Sequence, residues 1–190
     1  IFDLYALLYP ILAAILSYSL CDVEYKNYGF RLLFTRPISK LTIYSSKMVF
    51  LLEINFISFL IGYLAFLLSG FALDKLLPGY EFSSYNVNNL TAFYFSYLFI
   101  ALSAVSIMQY YLSLIFKSFV LPIGFAGFMT IFGVIAQNKD YIYLIPYSTV
   151  WRLNYGFYSG IINFSKGEYV NIAYVLFFVV ISFFVFIRKK

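Results

Sequence analysis

The chain has 190 residues, of which 63% are hydrophobic and 24% aromatic but only 11% charged, with 13 Lys and Arg against 8 Asp and Glu and no His. Its mean hydropathy is +0.88. An ordinary globular domain carries about 25% charged residues, so one water-soluble core is excluded and the composition describes an integral membrane protein.

Strand-sized alternation is absent from the apolar runs, which argues against a closed barrel and predicts an all-α protein. Five runs have roughly the 17–25 residues that a helix needs to cross the hydrocarbon. They are Leu4 to Leu20, Met48 to Phe71, Leu90 to Phe116, Phe119 to Ala136 and Val170 to Ile187. Cys21 closes the first run; as the lone cysteine it offers no internal disulfide, and with no His the usual soft-ligand metal sites lack ligands. It reads as a small, buried, inert residue.

Between the first and second runs lies a basic, amphipathic insert, residues 21–47. Acidic residues come first, then Phe30, Leu33 and Phe34 group on one helical face. Pro37 ends or kinks that helix, and Ser39 can cap the next. Charge alone leaves this insert open to a second reading, a solvated connection that only sets topology.

The third and fourth runs form a tight hairpin at Lys117 and Ser118, with Pro122 tolerated in the first turn of the following helix. Residues 137–168 are apolar and aromatic but interrupted, so they read as helices that lie at the interface or dip in and return, with Pro146, Trp151 and Arg152 in this external re-entrant region. Arg152 has two readings, a structural, snorkelling cation or an attractor of anionic groups. Gly156 and Gly160 match a GxxxG contact pattern that also arises by chance. Asn89 and Asn163 open glycosylation sequons, read as coincidental because they abut the membrane.

Basic residues set orientation. Lys26, Arg31, Arg36, Lys40, Lys47, Lys117, Arg188, Lys189 and Lys190 fall on one side; Lys75, Lys139, Arg152 and Lys166 fall on the other. The insert, the hairpin and the C-terminus are therefore expected in the cytoplasm. That places Ile1 outside, so one further helix is expected upstream, giving six spans in the parent chain. No internal repeat is visible, which weighs against a carrier built from duplicated halves.

In order, Glu24, Gly29, the Leu32–Leu33 pair, Arg36-Pro37-Ile38-Ser39 and Lys47 resemble the cytoplasmic loop between the second and third helices of type 2 ABC exporter permeases, among them small bacteriocin-immunity and drug-export permeases. The resemblance implies a coupling helix docked on a separate cytoplasmic ATPase, built here from Glu24, Gly29, Phe30, Arg31, Leu33, Phe34, Arg36 and Pro37. An apolar face of Phe30, Leu33 and Phe34 would fill the ATPase groove, while Arg31 and Arg36 pair with its rim. It also implies a second permease copy, as homodimer or heterodimer, and residence in a bacterial plasma membrane.

No GxxxxGK[ST] phosphate loop occurs, so ATP and Mg are expected only through the partner ATPase, with no cofactor on this chain and no nucleic-acid partner. Glu53, Asn55 and Gln109 are the candidates for a translocation path, because intramembrane polar groups face protein or water. Each also has a structural reading, Glu53 at the interface and Gln109 in a helix–helix hydrogen bond. The functional expectation is ATP-driven export of an amphiphile: a peptide antibiotic, drug or lipid. The rivals are a secondary carrier, a membrane subunit of another complex, or an intramembrane enzyme, which would lack the commonest general base.

Overall fold

A computed structural model describes residues 2–26, 29–35, 37–77, 79, 88–136, 139–160 and 166–189. Its elements are α1 (Phe2–Tyr25), α2 (Gly29–Phe34), α3 (Lys40–Leu76), α4 (Asn88–Ile115), α5 (Val120–Ile135), a 3-10 helix (Asp140–Leu144), α6 (Pro146–Tyr158) and α7 (Lys166–Ile187). The chain is helical, and among the described residues no strand occurs. The five apolar runs correspond to α1, α3, α4, α5 and α7.

Two helices outgrow their runs. The first, α1, continues through Asp22 and Glu24, residues read as loop, because the Asp22 carboxylate pairs with Lys26 one turn on, the orientation that supports a helix. The second, α3, has 37 residues and is therefore about 55 Å long, well beyond the roughly 30 Å hydrocarbon core. It starts at Lys40, where the Ser39 hydroxyl accepts from Thr42 N at 3.0 Å, and it stops at Leu77, the residue before Pro78, where helical backbone is disfavoured.

Four helices carry windows long and apolar enough to cross a membrane: α1, α3, α4 and α7. The remaining one, α5, has 16 residues, about 24 Å, and falls short of a full crossing when upright.

At the centre of the bundle is α4. Its segment Ala101–Ile107 is buried on every face, and the alternation of Ala and Ser there lets neighbouring helices approach closely. It packs against α1, α3, α6 and α7. The apolar interior falls into two halves. In one, α1 from Ala6 to Ala14 and α4 from Tyr94 to Val105 enclose Tyr147, Val150 and Leu153 of α6. In the other, Cys21, Phe30, Tyr44, Met48, Tyr110 and Phe186 bring α1, α2, α3, α4 and α7 together.

A buried polar layer joins three helices: the Tyr9 hydroxyl donates to Asn55 Oδ1, Ser106 Oγ donates to the same atom at 3.1 Å, and Ser17 Oγ donates to Ser106 O at 3.2 Å. With no hydrophobic drive between helices in lipid, such bonds supply part of the association.

Within the interrupted segment after α5, α6 packs into the bundle. Along α4, α6 is held at both ends: Gln109 Nε2 donates to the Tyr147 hydroxyl, and the Tyr94 hydroxyl donates to Asn154 Oδ1 at 2.5 Å. Pro146 is buried at its first turn, where a missing N–H costs nothing. Gly160 sits past its end at φ 71°, so Gly156 and Gly160 do not form one helical stripe.

Candidate functional site

The site expected from the insert is the short helix α2 and what holds it. Six residues are too few to stay helical alone, so tertiary contacts must fix it. They come from three sides.

On the α1 side, α2 lies so close that a Cβ at Gly29 would stand 2.8 Å from Glu24 Cα and 3.0 Å from the Glu24 and Val23 carbonyl oxygens. Only glycine permits that backbone approach. Glu24 itself is paired with Lys47 of α3 at 2.7 Å, and Lys47 Nζ also donates to Leu20 O at 2.8 Å. The two side chains are 10% and 13% exposed, so this is a nearly buried ion pair tying the end of α1 to the start of α3.

Aromatic packing makes the second hold. Phe30, 5% exposed, stands 5.4 Å from the Tyr25 ring, 5.9 Å from Phe34 and 6.0 Å from Phe186 of α7, and Phe34 meets Phe186 edge-on at 5.6 Å. Each such pair contributes about 0.5–1.5 kcal/mol beyond simple burial. Tyr25 is anchored in turn, its hydroxyl donating to Ser113 O and Leu114 O at 2.9 Å.

The third hold runs from α3 to α7. Lys40 Nζ lies 4.2 Å over the Phe34 ring and donates to Ile187 O at 2.9 Å, satisfying one of α7's terminal carbonyls. One turn on, the Tyr44 hydroxyl donates to Val179 O at 2.6 Å and lies 2.6 Å from Ser182 Oγ.

The burial of α2 is one-sided. The face of Phe30, Leu33 and Phe34 is turned into the chain's own bundle, where Phe30 is buried and the other two are half-buried. The amphipathic pattern marks a buried side but does not say what buries it. The face left outward carries Arg31, Leu32 and Thr35, followed by Pro37, Ile38 and Leu41, with Leu32 64% exposed. Arg36 lies outside the described residues.

The three path candidates separate. Asn55 is buried in the polar layer, and Gln109 is buried against Tyr147. Glu53 is exposed on α3, whose apolar window is the least covered of the four long helices. The Asn55 Nδ2 and Gln109 Oε1 atoms are buried without a hydrogen-bond partner, so each amide is half-satisfied.

At the other end of the bundle Arg152 pairs at 2.9 Å with Glu168 of α7, whose side chain is fully buried. Trp151 is half-buried. Asn154 Nδ2 donates to Asp3 Oδ1 at 2.9 Å, bridging α6 to the start of α1. Asp3 and Glu168 were not singled out in the sequence; a carboxylate at each end of an apolar run was the available signal. Asn163 lies outside the described residues.

Four helices long and apolar enough to cross a membrane, packed around a buried polar layer, describe a multi-pass membrane protein. The model of the family described as ABC-2 family transporter protein matches residues 2–133, from α1 through most of α5. The chain belongs to this family, whose permeases normally work with ATPase subunits. No curated protein and no solved structure matches it.

Proposed function

We propose that the chain is the permease subunit of an ATP-driven exporter, coupled to a separate cytoplasmic ATPase through the outward face of α2 and the turn that follows it. The supporting observation is the clasp: α2 meets α1 through Gly29 and the Phe30–Tyr25 contact, α3 through Lys40 over the Phe34 ring, and α7 through Phe186, while Glu24–Lys47 ties α1 to α3 and Lys40–Ile187 O ties α3 to α7. A push on its exposed side is thereby delivered to three helices at once, as a rigid-body transition between inward-open and outward-open states requires.

In this reading Leu32, Ile38 and Leu41 enter the ATPase groove, and Arg31 and Arg36 face its acidic rim. Glu24, Gly29, Phe30, Leu33 and Phe34 hold the element rather than touch the partner, and Pro37 ends it on the outward side. A second permease copy, identical or similar, completes the pathway. The cargo is an amphiphile: a peptide antibiotic, a drug or a lipid. The C-terminus and α2 share the cytoplasmic side, and residues 137–168 the external one.

The test is co-purification of the ATPase with Leu32→Asp/Ile38→Asp. Loss of the ATPase with unchanged thermal stability is expected, whereas Phe34→Asp should destabilise the permease itself. Undiminished ATPase recovery with Leu32→Asp/Ile38→Asp would remove α2 as the coupling element.

A further inference from the structure

Beside the clasp, where α4 turns into α5, an open apolar groove of about 420 Å³ is lined by Leu112, Phe116, Val120, Gly124, Phe125 and Phe128. Gly124 forms open floor, since a Cβ there would meet nothing within 4 Å. Lys117 sits in the four-residue turn that joins the two groove walls and is exposed. Lys189 approaches the same corner from the C-terminal tail. Its ammonium lies 5.3 Å over the Tyr25 ring, and Tyr25 is bonded to the last turn of α4 through Ser113 O and Leu114 O. The tail is fixed by Lys189 N donating to Phe186 O at 3.1 Å.

Of the α1 carboxylates, Asp22 pairs with Lys26 and Glu24 pairs with Lys47 through Oε1. Among the described residues no carboxylate pairs with Lys117 or Lys189. Lys117 thus lies next to the groove wall residue Phe116, and Lys189 lies over a ring bonded to the last turn of the same helix, with no carboxylate partner for either among the described residues.

We infer that this corner is a binding site for an anionic phospholipid, its phosphate between Lys117 and Lys189 and one acyl chain in the groove over Gly124. Burial first, and the charge of Lys117 second, hold the Lys189 ammonium below its ordinary value, and a bound phosphate relieves both effects. In a bilayer the acyl chain gains no hydrophobic energy by leaving other lipid, so the headgroup carries selectivity and the slot carries residence. Each lysine near an anionic headgroup contributes about fivefold in affinity.

The experiment uses the full-length chain purified in mild detergent and titrated with phosphatidylglycerol or phosphatidylcholine of matched acyl chains, with retained lipids counted by native mass spectrometry. Phosphatidylglycerol should be retained preferentially. Lys117→Gln/Lys189→Gln should cut that retention by about 25-fold and abolish the headgroup preference. Gly124→Leu, which fills the slot without a clash, should lower retention of both lipids while leaving thermal stability intact. Equal retention of the two lipids, or an unchanged preference in the double glutamine variant, overturns the site. Retention that follows the lysines but ignores Gly124→Leu reduces it to a surface charge effect and overturns the slot. A change in oligomeric state on Gly124→Leu with lipid retention unmoved assigns the groove to a second copy, which also overturns it.

Discussion

Gly29→Ala is the sharpest probe of the clasp, because one methyl group must displace backbone rather than a side chain. Its Cβ would stand 2.8 Å from Glu24 Cα and 3.0 Å from two carbonyl oxygens, distances at which something has to move. The mobile partner is α2, and moving it opens the contacts of Phe30 with Tyr25 and Phe186. Overpacking of this kind costs about 1–3 kcal/mol, which for a chain of this size lowers Tm by roughly 2–10 °C. Gly124→Ala is the matched control: nothing lies within 4 Å of its Cβ, so only the helix-propensity gain of about 1 kcal/mol applies. Thermal unfolding of the detergent-purified chain reads the stability. Cys21 gives a second, local readout, since the lone thiol is fully buried in the cluster that α2 closes. Gly29→Ala should speed its alkylation by maleimide; Gly124→Ala should not. Equal Tm values and equal Cys21 alkylation rates in the two variants would refute the close-approach argument.

Three further outcomes are expected. Glu24→Gln alone, or Lys47→Met alone, should cost about 3 kcal/mol because each breaks a nearly buried pair, while the double variant should recover most of that loss; additive losses in a double-mutant cycle would show that the pair is not coupled. Arg152→Met should destabilise by about 3–5 kcal/mol, since it takes the guanidinium from a fully buried Glu168 carboxylate, and hydrogen exchange should rise first in α6, the helix which that pair holds to α7. Glu53→Gln should leave stability within about 0.5 kcal/mol, being an exposed change, yet lower export; export at the original rate with intact assembly would place Glu53 at a lipid-facing or purely structural surface.

Helix positions were legible because apolar run length is a local property, and the break at Pro37 and the cap at Ser39 were legible for the same reason. What the residues could not show is which surface each polar group meets. Glu24 and Lys47 are 23 positions apart, Arg152 and Glu168 sixteen, and Tyr9 and Asn55 forty-six; none has a sequence signature as a pair. Glu53 and Asn55, two residues apart on a helix, point to different sides, and the structure buries Asn55 and exposes Glu53.

The motif that resembles a coupling loop therefore divides by function along its length. Glu24, Gly29 and Lys47 do not form the outward surface; they are the reason a six-residue helix has a fixed orientation at all. A helix that short, attached by flexible chain, would absorb a partner's push by fraying. Clasped to α1, α3 and α7, it is held to them, and in the proposed coupling role stiffness at Gly29 and Glu24 would matter as much as contact at Leu32. The two requirements separate experimentally: weakening the clasp should uncouple export while the ATPase still binds, and weakening the outward face should lose the ATPase while the clasp stays stable.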